Sequence, residues 1–191
     1  MLEMHGTVTA ELQSICLVDD PASDPAYPDV EPGAEDVDDY LPPPDPPEGF
    51  DLLTAAPGVV TVTTGAMRGK VNLTIRVLDN KPSALAPGIW DTVEEIGFRA
   101  LSGYTMPASG EYYPFSAAGS GVFQSSVTAK GTGFYRVRAH ERNRKLTLGI
   151  HREDHEPATE ETYLLEIWAT EDEDEDEGRR RLRGPYPTLL R

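Results

Sequence analysis

Alternation of polar and apolar residues is the feature that most restricts the fold of this chain, and it is clearest in residues 70–79, KVNLTIRVLD. Its branched apolar residues occupy every second position: Val71, Leu73, Ile75 and Val77. A period of two places these side chains on one face of a β-strand. The turn sequence Asp-Asn-Lys-Pro then ends the segment. The pattern predicts a half-buried strand of the antiparallel type.

Similar segments recur along the chain, separated by glycine and proline turns. The further candidate strands are residues 7–12, 15–18, 59–64, 90–101, 121–128, 134–141, 145–151 and 162–168. The first two form one strand or two strands separated by a kink, and residues 90–101 favour a strand over a helix because of their alternation and an internal glycine. No long stretch has a helical period. We predict an all-β fold, an antiparallel and jelly-roll-like β-sandwich of about seven to nine strands.

One acidic, proline-rich segment interrupts this pattern. Residues 19–51 contain 12 acids, nine prolines and no base. Proline removes backbone donors and the like charges repel, so we expect neither helix nor strand there. We therefore predict a single domain over residues 1–170, interrupted by an acidic loop at 19–57. The two alternatives for the segment are a disordered insertion and a docking segment for a basic partner.

The charge of the chain is distributed unevenly. Residues 1–57 carry a balance of −14, residues 58–170 a balance of zero, and residues 171–191 a balance of −2, which together give the net charge of −16. Residues 171–177 are seven consecutive acids, followed by an arginine-rich run. We predict that 171–191 is a disordered, low-complexity charged tail. An inference from the net charge to partners must therefore rest on these segments.

Cysteine content and hydropathy bear on the compartment. Cys16 is the sole cysteine and lies in the apolar run Ile15–Val18, which predicts a buried structural thiol and excludes an intrachain disulfide. The first residues lack the pattern of a signal peptide. No window approaches the roughly 18 apolar residues of a transmembrane helix. We expect a cytoplasmic protein that does not associate with membranes.

Residues 130–137, KGTGFYRV, are close to the octamer of RNA-recognition domains. The basic residue, both glycines and one aromatic match. The octamer depends on aromatics that stack on bases, and here Thr132 and Val137 replace two of them. The companion motif and the two helices of that fold are also missing from the sequence. The match therefore indicates a glycine-rich turn that enters a strand.

The strand itself has two faces. Tyr135, Val137 and Ala139 form the better core face, and the opposite face is basic. The basic face, continued past the strand, has three interpretations: a solvated or self-paired surface, a protein-binding surface, or a surface for nucleic acid. We name as candidate partner-binding residues those of this face and three acids of the acidic segment: Arg136, Arg138, His140, Arg142, Arg144, Asp36, Asp38 and Asp39.

Catalytic and metal-binding patterns are weak throughout. Residues 151–156, HREDHE, group two imidazoles with three carboxylates, but Arg152 and Pro157 argue against a helical zinc motif. Glu94 and Glu95 are adjacent on a strand, so they point to opposite faces and do not form an acid–base pair. Ser120 lacks the spacing of a nucleophile elbow. We predict no catalytic residues, no metal site and no cofactor.

A family resemblance covers residues 59–169. It is carried by Trp90-Asp91 with the following glutamates, by the Gly-x-Gly-x-Tyr-Arg-Val-Arg strand (131–138), and by the Glu-x-Tyr-Leu-Leu-Glu-Ile-Trp strand (161–168). These segments resemble a group of mostly uncharacterised bacterial β-sandwich proteins, which is similar to the competence protein J family. That resemblance implies a binding role, because the known member inhibits a DNA-entry nuclease. Both tryptophans are expected in the core.

These observations favour a non-enzymatic, protein-binding β-sandwich that acts as an inhibitor or immunity factor for a nuclease or toxin. The expected partner is a protein, with the acidic segment occupying a basic surface. The alternative is a nucleic-acid-binding domain that uses the basic face of residues 136–145.

Overall fold

The computed structural model describes residues 1–19, 51–110, 123–153, 156–171 and 180–183. This part of the chain contains ten strands, one 3-10 turn and no α-helix. The strands are β1 (Leu2–Ala10), β2 (Ser14–Asp19), β3 (Leu53–Ala56), β4 (Val59–Thr63), β5 (Gly69–Leu78), β6 (Thr92–Ala100), β7 (Thr105–Ser109), β8 (Gly133–Arg142), β9 (Thr162–Thr170) and β10 (Arg180–Arg183). The 3-10 turn spans Arg144–Thr147.

Two sheets build the fold. The larger has the order β1-β5-β9-β8-β6-β10, and the smaller has the order β3-β4-β2-β7. Neighbouring strands are antiparallel throughout, except that β5 and β9 run parallel with Leu73 opposite Tyr163. The all-β class and the antiparallel β-sandwich predicted from the sequence are confirmed.

The core lies between the inner faces of the two sheets. Strand β5 alternates buried and half-buried residues along its whole length, as its period of two predicts. The apolar side of β8 also faces inward, with Tyr135, Val137 and Ala139 in the core cluster. Trp168 is buried, but on the opposite face beside Arg136 and outside the core cluster, and Trp90 is only half-buried, so the expectation that both lie in the core is wrong. Each alternating segment thus contributes one face to a shared interior.

Two of the predicted strands are wrong. The described part of residues 121–128 is irregular, and a side-chain hydroxyl there bonds to backbone groups in place of a strand ladder. Ser126 Oγ accepts the Thr105 N–H at 3.1 Å and the Thr128 N–H at 3.2 Å. Residues 145–151 form a 3-10 turn and a further turn instead of a strand. Asn143 enters that region in the left-handed conformation (φ 68°), which reverses the chain at its start.

Three observed strands were not expected from the sequence. Strand β3 falls inside the range 19–57 assigned to the acidic loop, and β10 falls inside the charged tail. Strand β7 contains Pro107, which an edge strand tolerates because its outer side needs no ladder donor. The segment over residues 7–18 is two strands, β1 and β2, which belong to different sheets. The helical structure in the described residues includes no segment long and apolar enough to cross a membrane.

Candidate functional site

The polar face of β8 is buried, so it is not the solvated surface that the sequence allowed as one possibility. The exposed fractions of Arg136, Arg138 and His140 are 1%, 5% and 0%. The connection between β5 and β6 covers Arg138 and His140, since Arg138 Nη1 donates to the Ala84 carbonyl at 3.1 Å and the Trp90 ring lies 5.3 Å from the His140 ring. The alternation located this face correctly, but it did not show that another part of the chain covers it.

Acids on the neighbouring strands neutralise Arg136 and Arg138. Glu95 on β6 lies opposite Arg138 on β8, which lies opposite Glu166 on β9. Arg138 Nη2 lies 2.9 Å from Glu95 Oε2, and Arg136 Nη2 lies 3.1 Å from Glu95 Oε1. Buried charges are tolerated when they are paired in this way. The face is therefore paired with acids of the neighbouring strands β6 and β9.

The pairing extends across the larger sheet as a row of alternating charge. In register, Glu3 on β1 is opposite Arg76 on β5, and Arg76 is opposite Glu166. We call Glu3, Arg76, Glu166, Arg138 and Glu95 the charge row. The pair at the outer end of the row, Glu3 and Arg76, is partly exposed to solvent. The distance from Arg76 Nε to Glu3 Oε2 is 2.6 Å. Opposite charges on directly facing positions stabilise a sheet, so the row ties five strands together.

His140 belongs to the same buried face. Its Nε2 lies 3.0 Å from Glu166 Oε2. Arg138 Nη1 is 3.8 Å from that same oxygen, and the Arg138 guanidinium stacks over the Trp168 ring at 5.2 Å. The Trp90 ring beside His140 and the Trp168 ring beside Arg138 reduce the contact of these side chains with water. The arrangement fixes the position of the imidazole and is a structural network.

The other candidate partner-binding residues are placed differently. Arg142 is exposed at the end of β8. Arg144 is buried, and its Nη1 donates to the carbonyls of Asp51 at 3.3 Å and Thr63 at 3.4 Å. Asp36, Asp38 and Asp39 lie outside the described residues. Of the five basic candidates, Arg142 alone is classed as exposed.

Buried carboxylates elsewhere in the sandwich hold loops in place. Glu94 Oε2 accepts the N–H groups of Leu52 at 3.0 Å and Leu53 at 3.1 Å. It faces the interior, and Glu95 faces the opposite side, as their adjacent positions on a strand predict. Asp19 accepts the Ser102 N–H at 3.2 Å and also the Leu101 N–H. A carboxylate that caps backbone donors is a poor general base, because its lone pairs are already engaged.

Glu161 is a buried carboxylate that accepts hydrogen bonds from several loops. It accepts the N–H groups of Gly65 at 3.0 Å and Ala66 at 2.8 Å, and the Tyr163 hydroxyl at 2.5 Å. The Thr147 hydroxyl also donates to it. Burial, followed by the Glu161 charge, raises the pKa of Tyr163 well above its ordinary value. Sequence reasoning missed this cluster, because its members are up to 96 residues apart in the chain.

Neither the cysteine nor the histidine-rich loop forms a reactive centre in the described structure. Cys16 is buried as predicted, and desolvation raises the pKa of its thiol to about 11. His151 forms an isolated bridge with Arg68, and Asp154 and His155 of the HREDHE loop lie outside the described residues. Across the described residues, no three His, Cys, Asp or Glu side chains are grouped as a metal site requires.

Three adjoining loops at one end of the sandwich expose large apolar side chains. The Gln13 N–H donates to the Met67 carbonyl and the Met67 N–H donates to the Ile150 carbonyl, both at 2.8 Å. The exposed residues of these loops are Leu12, Met67, Leu146 and Leu148. We call this set the apolar end. Exposed apolar groups that gather on one surface are typical of contact sites for other proteins.

Comparison with known proteins gives one structural neighbour. No family model matches the chain, and no curated protein matches it. A solved structure titled "Crocagin biosynthetic gene J" aligns over 88% of this chain and 99% of its own length, at 12% sequence identity and a TM-score of 0.42.

Proposed function

We propose that this protein is a non-enzymatic binding module that presents its acidic segment to the cationic surface of a partner protein, as an inhibitor or immunity factor for a nuclease or toxin does. The observation that carries the proposal is the internal pairing of the basic strand. Arg136 and Arg138 on β8 are neutralised by Glu95 and Glu166. The carboxylates of residues 20–50 are therefore not needed to balance the charge of that strand.

Both ends of the acidic segment are fixed to the sandwich. Asp19 at the end of β2 is held by the 101–105 region, and Leu52 and Leu53 are held by Glu94. Val18 pairs with Val59, whereas Leu53 pairs with Val62, so the segment leaves at one end of β4 and returns at the other. A crossing of this kind needs only about 15 Å, and 31 residues reach about 100 Å when extended. The length exceeds what the connection requires.

The composition of the segment fits an electrostatic partner. Residues 20–50 hold ten acids and no base, while the core of residues 58–170 is neutral. Charge of one sign steers a partner of opposite charge and accelerates association. The apolar end offers a second surface with the chemistry of a protein contact. The sequence resemblance to the competence protein J group implies the same role.

The alternative, nucleic-acid binding by residues 136–145, has little support in the geometry. Phosphate contacts require cations that reach solvent. Arg136, Arg138 and Arg144 are at most 6% exposed, and their donors are directed to groups of the same chain. We therefore retain the protein-binding function as the proposal.

The test compares two charge-neutralised forms of the full chain. The first carries Asn or Gln at the seven acids from Asp24 to Asp39, and the control carries the same changes at the seven acids 171–177. Each immobilised protein captures ligands from a nuclease-treated lysate of the source cells, and captured proteins are identified and assayed for DNA cleavage. We expect a basic protein that the wild type and the control capture and inhibit, and that the first variant does not.

Two results of this capture experiment would contradict the proposed role of the acidic segment. If the first variant captures and inhibits the same protein as the wild type does, the acidic segment has no part in binding. Loss of binding from both variants indicates a general charge effect and likewise contradicts the proposal. Raising the salt concentration is expected to weaken capture by the wild type, because exposed charges are screened over about 10 Å at 0.1 M.

A further inference from the structure

Strand β10 is attached to the sandwich in an unusual way. Arg180–Arg183 pairs antiparallel with β6, with Arg180 opposite Glu95 and Arg183 opposite Val93, and the register shifts between them. The overlap covers only Val93–Glu95, whereas β6 and β8 pair over nine positions. Leu182 remains 41% exposed, so its side chain contributes little to the core. Main-chain pairing, and not burial of Leu182, therefore attaches β10 to the sheet.

Without β10, β6 is an edge of the larger sheet. The far end of that edge is occupied by the sandwich itself, because the Gly58 N–H donates to the Arg99 carbonyl at 2.9 Å. The stretch from Val93 to Glu95 has β10 as its neighbour in the sheet order. An edge with backbone donors and acceptors available pairs readily with another extended chain.

The charge row specifies which chain fits that edge. Along the row, acid and base alternate from Glu3 through Arg76, Glu166 and Arg138 to Glu95, and the next register position beyond Glu95 belongs to Arg180. An opposite charge directly across two strands is favourable and a like charge is unfavourable. The position next to Glu95 therefore selects a cation, and the chain places an arginine there.

The residues that precede β10 in the sequence also favour a basic partner segment. Residues 171–177 are seven consecutive acids. These acids precede β10 by three residues in the sequence, and their negative charge attracts basic segments and repels acidic ones.

We propose that the β6 edge between Val93 and Glu95 is a strand-docking site for an arginine- or lysine-rich extended segment of a partner protein, and that β10 occupies it in the absence of the partner. The partner segment adds to the sheet through main-chain hydrogen bonds and places a basic residue across from Glu95. Displacement of β10 exchanges one short basic strand for another. This site is separate from the acidic segment 20–50 and does not depend on its role.

The experiment uses the full chain and a labelled peptide of sequence RRRLRG, which is that of residues 179–184. Arg181→Pro removes a backbone donor within β10 and is expected to release the strand. Arg180→Asp keeps the donor and places a like charge opposite Glu95. Thr188→Pro is the matched control, in the same region of sequence but outside β10. Fluorescence anisotropy measures the peptide affinity of each form.

We expect both β10 variants to bind the peptide about tenfold more tightly than the wild type, because they lack the competing strand. The Thr188→Pro control is expected to match the wild type. A peptide of the same sequence, N-methylated at every backbone nitrogen, is expected to bind weakly because it has charge but no N–H donors. Hydrogen exchange at Val93–Glu95 should accelerate in the variants and slow again when the unmodified peptide is added.

Three outcomes overturn the proposal. Equal affinity of wild type and β10 variants shows that β10 does not occupy the peptide's site. Equal binding of the N-methylated peptide shows attraction by charge alone. A wild-type dimer that light scattering finds converted to monomer by Arg181→Pro shows that the occupant is β10 of a second copy and not a partner segment.

Discussion

Arg138 donates to Glu95 through two nitrogens at once, with Nε at 3.0 Å and Nη2 at 2.9 Å from the same carboxylate oxygen. The other oxygen of Glu95 lies 3.1 Å from Nη2 of Arg136. One carboxylate thus serves two guanidinium groups, both almost completely buried. Because buried cations depend on their counter-charges, the outer face of the larger sheet depends on Glu95.

Glu95→Gln is expected to destabilise the protein strongly. The amide keeps an acceptor but removes the negative charge, so both guanidinium groups lose their contact with the Glu95 carboxylate, and Arg138 retains Glu166 at 3.8 Å. Breaking a buried ion pair by removing one partner costs about 3–5 kcal/mol. Urea unfolding followed by tryptophan fluorescence measures the loss as a lower midpoint.

The exposed end of the charge row supplies the control. Glu3 and Arg76 are 44% and 33% exposed in their side chains, although their contact at 2.6 Å is shorter. Solvent and salt screen such a pair, so Glu3→Gln is expected to cost about 1 kcal/mol or less. If the two variants lose equal stability, burial does not determine the strength of these pairs.

The local sequence pattern predicted many of the strands, but it did not predict which strand faces are buried by distant parts of the chain. The period of two identified β5, and the two faces assigned to β8 located its core side correctly. It could not reveal that the connection carrying Ala84 and Trp90 folds back over the opposite face, because that contact joins residues about 50 positions apart. Basic residues alternating on a strand therefore resembled a solvated surface.

The buried carboxylates illustrate the same limit. Glu94 appeared in the sequence as one of two adjacent acids on a strand, and Glu161 lies immediately before β9. Their actual partners are the backbone donors of Leu52, Leu53, Gly65 and Ala66. Backbone groups are the same in every residue, so no side-chain pattern marks a loop as the partner of a distant carboxylate.

Cys16 is expected to resist thiol reagents in the folded protein. Its pKa is raised to about 11 by burial, which leaves about one thiolate in a thousand at pH 8. The side chain is also enclosed by the sandwich, so modification requires unfolding. Labelling with Ellman's reagent at pH 8 should be slow in buffer and complete within minutes in 8 M urea. Rapid stoichiometric labelling in buffer contradicts this assignment.

Glu141→Gln is expected to change the pH dependence of stability. Burial, as the largest cause, raises the pKa of Glu141 above its ordinary value of 4.5, and hydrogen bonds from Thr92 and Arg144 oppose the shift only in part. From about pH 4.5 up to the raised pKa, the folded state binds more protons than the unfolded state, so this group's contribution to stability falls as pH rises. Glu141→Gln has no titrating carboxyl at this position, so it does not undergo this decrease in stability.

Urea unfolding between pH 4 and pH 7 measures the effect. The stability of Glu141→Gln relative to the wild type should increase with pH across the lower part of this range and then level off. Glu160→Gln, which removes an exposed carboxylate near the same end of β9, controls for the change in net charge. Parallel pH profiles of wild type and Glu141→Gln would falsify the assignment of a raised pKa.

Leu12 and Gln13 form a hairpin turn that their side chains do not favour. Both have positive φ, 51° and 59°, and Glu11 and Ser14 close the turn with hydrogen bonds of 3.1 and 2.9 Å. This geometry favours Asn-Gly, and bulky side chains are strained in it. Leu12→Asn with Gln13→Gly is therefore expected to raise the free energy of unfolding by about 1 kcal/mol. Urea unfolding tests this against Leu146→Asn, which removes another exposed leucine and should change stability by about 0.5 kcal/mol or less. An equal response of the two variants means that the turn carries no strain.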